Sequence, residues 1–139
     1  MGIKENKETV RRYIEEVLAG DYSHATELMH EEFIGQNKNI HSIEEHEAFF
    51  KKRRELAPDL KNNLKEMIAE GDKVVTISVI TVTDSSGYAG HPPTNKKLEI
   101  KNMAVYTLKD GKIAKGEVLS DSLNMFQQLG FYPPLPEEK

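Results

Sequence analysis

Two stretches, Val74-Val75-Thr76-Ile77-Ser78-Val79-Ile80-Thr81-Val82-Thr83 and Leu98-Glu99-Ile100-Lys101-Asn102-Met103-Ala104-Val105-Tyr106-Thr107-Leu108, decide the fold class. The first is rich in side chains branched at Cβ, which crowd a helix but fit a pleated surface. The second alternates with a period of two, which sorts its side chains onto the two faces of a sheet. Both read as strands. Glu70-Gly71-Asp72 and Lys109-Asp110-Gly111-Lys112 carry turn chemistry, so antiparallel hairpins are predicted over residues 62–83 and 97–121.

Upstream the period changes. Val10, Tyr13, Ile14, Val17 and Leu18 fall at i, i+3, i+4, i+7 and i+8, the apolar stripe of a helix, with Gly20 placed to take the left-handed position after it. Ser23 is positioned to cap a second, shorter helix that carries Ala25, Leu28 and Met29 and ends before Phe33. Ser42 and Glu45 form an S-x-x-E capping box, which opens a third helix that stops at Ala57 before Pro58. Its apolar stripe is Phe49, Phe50, Leu56 and Ala57. Helices followed by an antiparallel sheet define the α+β class: three N-terminal helices cover one face of a curved sheet, and the curvature leaves a cavity between them. Pro133-Pro134-Leu135-Pro136 can continue neither helix nor ladder, so residues 131–139 read as an extended tail on one domain that occupies residues 1–139.

Composition removes whole classes of function. With 37% hydrophobic and 30% charged residues the chain reads as a soluble globular protein, and Thr76, Ser78 and Thr81 break its longest β-branched run, so no membrane span is expected. The 19 Lys and Arg against 23 Asp and Glu leave a net charge of -4, which repels polyanions and disfavours nucleic acid as a partner. Lys51-Lys52-Arg53-Arg54 does not reverse this, because successive helical residues step about 100° around the axis and spread the charge. There is no cysteine, hence no disulfide, thiolate nucleophile or thiolate metal site. His24, His30, His41, His46 and His91 form no H-x-H or H-E-x-x-H pattern, so no metal site is expected; nor is there a G-x-S-x-G, P-loop or G-x-G-x-x-G string. Met1 to Thr9 is polar, without the apolar segment of a secretory signal, so the cytoplasm is the expected compartment.

The last strand holds the first candidate. Strict alternation from Ile113 would put Lys115, Glu117, Leu119 and Asp121 on one face, and two readings of that face compete, a solvent-exposed sheet edge or a pocket wall. In the pocket reading, Asp121 at the strand end is sheltered by residues 122–129, its pKa rises, and it serves as a general base. Glu117 lies roughly 13 Å away along the strand, too far to share a proton with it. Arg53 interrupts the apolar stripe of the third helix and calls for a carboxylate, with Glu117 or a ligand anion as the expected partner; the alternative is an arginine reaching to solvent from the rim. His46 shares the stripe of Phe49 and Phe50 and can reach the cavity. Asn102 shares a strand face with Leu98, Ile100, Ala104 and Tyr106, where a lone amide either binds a ligand or is satisfied internally.

The chain resembles the SnoaL-like polyketide cyclases, or ester cyclases, of the nuclear transport factor 2-like (cystatin-like) superfamily. The resemblance rests on Ala57-Pro58-Asp59-Leu60, Glu70-Gly71-Asp72-Lys73-Val74, Gly90-His91-Pro92-Pro93-Thr94-Asn95-Lys96, Asp110-Gly111-Lys112-Ile113, and Asp121 followed by Gln128-Leu129-Gly130. It implies a cone of helices on a curved sheet, a deep apolar pocket, no cofactor, a homodimer or higher oligomer, and intramolecular aldol closure with the residue at Asp121 as acid or base. Two positions depart from the family's usual residues, Glu117 in place of a tryptophan and Gln36 in place of a histidine. Asn95 stands where the family has a turn glycine, and asparagine tolerates positive φ.

These readings give a cofactor-independent enzyme acting on a small, largely apolar carbonyl compound, with Asp121 as acid or base and Gln36, His46, Arg53, His91, Asn102 and Glu117 orienting the substrate. The alternative is a non-catalytic small-molecule-binding protein of the same fold. A scaffold with an empty pocket is the third.

Overall fold

The computed structural model describes residues 2–35, 39–88 and 90–131. The elements are α1 (Ile3–Arg12) running into a π-helical turn (Tyr13–Val17), α2 (Ala25–Leu28), β1 (Met29–Ile34), α3 (Ile43–Leu56), β2 (Lys61–Glu70), β3 (Lys73–Thr83), β4 (Lys97–Lys109), β5 (Lys112–Ser120) and α4 (Ser122–Leu129). Helices pack on one face of a five-stranded sheet of order β1-β5-β4-β3-β2. The predicted Pro-rich tail falls, from residue 132 onward, outside the described residues.

Both hairpins form where the alternation places them. The β2–β3 turn uses Gly71 at φ 58°, and the β4–β5 turn uses Asp110 and Gly111 at φ 53° and 75°, left-handed conformations that an Asp-Gly pair adopts at low cost. Asn95 also takes positive φ, 59°, as its residue type allows. In β3 and β4 the even-numbered side chains face inward: Val74, Thr76, Ser78, Ile80 and Val82 lie beside Tyr106, Ala104, Asn102, Ile100 and Leu98.

Three features differ from the expectation, each for a physical reason. The second helix is only four residues long and has no side-chain cap; the Ser23 hydroxyl donates to Asp21 Oδ1 instead, at 2.6 Å. The chain then runs straight into β1, which pairs parallel with β5, so the sheet is antiparallel except at this edge. The Met29–Ile34 string shows no period of two to announce a strand; the edge of β5 supplies the hydrogen bonds that make it one. Third, Ser42 caps α3 through the Glu45 N–H at 3.1 Å, but Glu45 returns its carboxylate to the His41 N–H rather than to Ser42. On α3 the buried residues are His46 and Phe50, while Phe49 and Leu56, both expected on the apolar stripe, are exposed.

The interior divides in two. One cluster packs Val10, Tyr13, Ile14, Val17 and Leu28 against Val74, Ala104, Tyr106 and Ile113; the other packs Ile80, Val82, Leu98 and Ile100 against Leu129, Met125 and Phe126 at the α4 end. Buried Thr76, Ser78 and Asn102 lie on the inward face between them. Among the described residues no helix is long and apolar enough to cross a membrane.

Candidate functional site

A cavity of about 560 Å³ opens over this polar seam, bounded by the π-helical turn, α3, the start of β2 and the inner faces of β4 and β5. Ile14, Leu18, Phe33, Phe50, Ile80 and Val118 supply apolar wall; Tyr13, His46, Asn102 and Tyr106 supply polar atoms. The π turn is the local device that brings Tyr13 there. Leu18 N–H donates to the Tyr13 carbonyl five residues back, at 3.0 Å, and the widened turn buries Tyr13, Ile14 and Val17 together.

His46 is the most enclosed polar group of the wall, 1% exposed. Its Nε2 lies 2.7 Å from the Tyr13 hydroxyl and its Nδ1 lies 2.6 Å from the Tyr22 hydroxyl, so both ring nitrogens are satisfied. Phe50 stacks on the imidazole with centroids 4.4 Å apart, and Phe33 meets it edge-on at 5.5 Å. Burial in this aromatic cage, reinforced by the charge of Arg54, lowers the pKa from 6.5 to about 4 and keeps His46 neutral at physiological pH. Burial also raises the Tyr13 and Tyr106 hydroxyls above the usual phenol range, so both stay protonated. Tyr22 is pushed up to about 12 by burial, against the opposing pull of the Arg54 charge.

Across the cavity, Asn102 Nδ2 donates to Ser120 Oγ at 2.8 Å, which orients the amide on the sheet floor. Among the described residues the cavity is also bordered by Arg11, Arg53, Lys61 and Lys65 against one carboxylate, Glu15, an excess of positive charge on a chain whose net charge is -4. Arg53 is exposed and sets its guanidinium 5.9 Å from the centroid of the Phe50 ring.

Of the residues singled out from the sequence, His46, Arg53 and Asn102 come together on the cavity wall. Glu117 does not. Thr107 pairs with Lys115 while Leu108 pairs with Ile113, so Ala114 is an extra residue in β5. This bulge reverses the alternation: Ile113 faces inward before it, Gly116 and Val118 face the cavity after it, and Glu117 turns to the outer face, where its carboxylate meets Lys115 Nζ at 2.6 Å. The pocket-wall reading of the Lys115–Glu117–Leu119 face is thereby corrected, and so is the Arg53–Glu117 pair, whose members stand on opposite faces of the sheet. Asp121 is exposed at the corner between β5 and α4, where its Oδ1 accepts the Asn124 N–H at 3.1 Å as the helix cap. It is not among the described residues lining the cavity. His91 lies in the loop after β3, stacked on Phe131 at 3.8 Å and away from the cavity wall. Gln36 lies outside the described residues.

Sequence reasoning placed Tyr13 correctly on a buried stripe but missed its role, together with those of Tyr22 and Arg54. The available signal was chemical: a tyrosine on a buried stripe must find a partner for its hydroxyl, and a histidine on a neighbouring apolar stripe is one.

An α+β frame of helices on a curved, mostly antiparallel sheet, with a cavity between the layers, is the nuclear transport factor 2-like architecture. The model of the SnoaL-like polyketide cyclases matches residues 7–129, and the chain belongs to that family. Among solved structures, a candidate SnoaL-like polyketide cyclase from Jannaschia sp. CCS1 is 25% identical with a TM-score of 0.78, over 96% of this chain and 97% of that one. IdmH, a candidate polyketide cyclase from Streptomyces antibioticus, is 22% identical with a TM-score of 0.78, over 90% of this chain and 98% of that one. AclR, a candidate hydroxylase from Streptomyces galilaeus, is 19% identical with a TM-score of 0.80, over 98% and 91%. A comparison with curated proteins found no match.

Proposed function

We propose that this chain is an enzyme that works without a cofactor on a small, largely apolar carbonyl compound, by acid–base catalysis of the cyclase or isomerase type. The observation that carries the reading is the cavity: about 560 Å³ of space whose apolar wall is interrupted by Tyr13, His46, Asn102 and Tyr106 and bordered by basic side chains. Such a site holds a ligand by area and orients it with a few hydrogen bonds. Membership of the cyclase family supports the same reaction class, and the resemblance to a candidate hydroxylase is why the class is argued from the site and not from the frame.

In this reading Asp121 is the acid or base. It stands one residue beyond Ser120, the partner of Asn102, at the corner outside the cavity wall, so to act on a ligand it must release the Asn124 N–H and turn inward. Asn102 and Arg53 orient the substrate, and His46 acts through the Tyr13 hydroxyl it holds. Asp121→Asn keeps the cap and the shape while removing the base, so with a panel of apolar β-keto esters it should abolish turnover and preserve affinity. Undiminished turnover in this variant would remove Asp121 from the mechanism. A second reading, a binding protein without catalysis, is favoured by the exposure of Asp121 and its engagement as a helix cap; binding without turnover across the panel in the unmodified protein would select it.

We also infer a homodimer through the outer face of the sheet. Leu119 is 78% and Met103 45% exposed, and they sit side by side with Ile77 across three strands. An apolar row of this kind on a sheet is covered economically by an identical row related by a two-fold axis.

A further inference from the structure

We propose that Tyr13 is an oxyanion donor: its hydroxyl donates into the cavity, because the hydrogen-bonded chain Tyr22–His46–Tyr13, directed by the charge of Arg54 at its far end, leaves that proton no acceptor among the described residues. The proposal rests on the reading of the cavity as a site of carbonyl chemistry.

The direction of the chain follows from donor and acceptor inventory. A neutral imidazole carries one N–H, so of the two phenols bonded to His46 one donates and the other accepts. Tyr22 is the one beside the positive charge of Arg54, whose guanidinium lies against Gly20 two residues away. That cation favours lone pairs turned toward it, on the Tyr22 oxygen and on Nδ1 alike, and protons turned away from it. The Tyr22 proton is then directed to Nδ1, at 2.6 Å, a far better acceptor position than the His46 carbonyl at 3.4 Å. His46 therefore carries its proton on Nε2 and donates it to the Tyr13 oxygen at 2.7 Å. The Tyr13 O–H is left over, and both Tyr13 and His46 line the cavity.

The cation at the far end decides what the near end prefers. Arg54 Nη1 is buried without a hydrogen-bond partner among the described residues, so its charge is incompletely satisfied by the protein. Each link of the chain polarises the next in the same sense, and negative charge on a ligand oxygen at Tyr13 completes the alignment. In the reaction the C–H bond next to the carbonyl breaks and its proton goes to the base. Its electron pair forms the C=C bond, and the carbonyl π pair moves onto oxygen. Tyr13 keeps its proton and stabilises that oxygen by a hydrogen bond that strengthens as the charge develops. Tyr13 is then a catalytic residue, with His46, Tyr22 and Arg54 positioning it.

The test uses 1,3-cyclohexanedione, an enolate at neutral pH, and its 2,2-dimethyl derivative, which has no proton between its carbonyls and stays a neutral diketone, with binding read by calorimetry. The unmodified protein should prefer the enolate. Tyr13→Phe should lose on the order of 10- to 100-fold in enolate affinity, the usual weight of a hydrogen bond to a charged group, and leave the dimethyl derivative unchanged. Arg54→Met should move enolate affinity in the same direction by a smaller factor. Nitrogen-15 NMR of the imidazoles, with His46→Gln to assign the signal, should show His46 protonated on Nε2, and this readout needs neither ligand nor the Tyr13 variant. A proton on Nδ1, or equal enolate affinity for Tyr13→Phe, overturns the relay while leaving the cavity reading in place. Failure of the unmodified protein to bind either dione overturns the cavity reading, and the proposal with it.

Discussion

The Tyr13 hydroxyl and the Nε2 of His46 meet at 2.7 Å across 33 residues of chain, tying the π-helical turn to α3 at the wall of the cavity. Both partners are buried, so neither can turn to water if the other is lost. The bond is therefore structural whatever the cavity binds. His46→Leu removes the partner of two phenols at once and should destabilise the protein by about 2–4 kcal/mol, measured by urea denaturation at neutral pH.

The same histidine sets a pH dependence. In the unfolded chain His46 takes up a proton near pH 6.5, in the folded protein only near pH 4. Between these values the unfolded state binds more protons, so the stabilisation is complete above about pH 6.5 and falls as the pH drops, with a total loss of roughly 3 kcal/mol. Denaturation midpoints measured from pH 7 to 4.5 should decline in the unmodified protein and change much less in His46→Gln. The carboxylates with lowered pKa values, such as Asp84 and Glu32, act at lower pH, below the ordinary carboxylate range.

Asp121 has two separable roles. As the cap of α4 it accepts the Asn124 N–H, and an amide oxygen can do the same. Asp121→Ala should therefore cost about 1 kcal/mol of stability, while Asp121→Asn stays within about 0.5 kcal/mol of the unmodified protein. Thermal denaturation of the two variants separates the cap from any effect on turnover.

Asp84 organises the loop that joins β3 to β4. Its carboxylate accepts the Gly87 N–H at 3.1 Å, and the Thr94 N–H and hydroxyl at 2.9 and 2.8 Å, and these bonds hold its pKa below the usual range. Asp84→Ala leaves three part-buried donors unmet and should cost about 1–2 kcal/mol. Faster amide exchange at Gly87 and Thr94 would report the loosened loop.

Gly116 lets the cavity exist. A Cβ there would meet Tyr106 Cε1 at 3.3 Å and Phe33 Cζ at 3.6 Å, so Gly116→Ala needs only a small shift and should fold with a loss of about 1 kcal/mol or less. A leucine at the same place fills the wall and should reduce binding of the dione probes. On the opposite face, Leu119→Glu should convert a dimer to a monomer in sedimentation velocity, with the cavity untouched.

The strands were legible because side-chain alternation is a local property: β2 to β5 lie within one or two residues of their expected limits, and Asn102 faces inward with Leu98 and Tyr106 as the alternation requires. The capped start of α3 and the stripe of the first helix were legible for the same reason, since the groups concerned lie within one or two turns of each other. Glu117 was misplaced because one extra residue, Ala114, reverses the faces of everything after it, and nothing in the identity of an alanine announces a bulge; the pairing partner imposes it. The edge strand β1 likewise exists through the hydrogen bonds that β5 offers.

The chemistry divides along the same line. Residue types and their local period determined an α+β protein with an inward amide, a histidine on the apolar stripe of α3 and no thiol. That His46 is neutral, held between Tyr13 and Tyr22 and turned toward Arg54, was decided by tertiary structure alone. Burial and hydrogen-bond direction arise only when segments distant in the chain exclude water from one another.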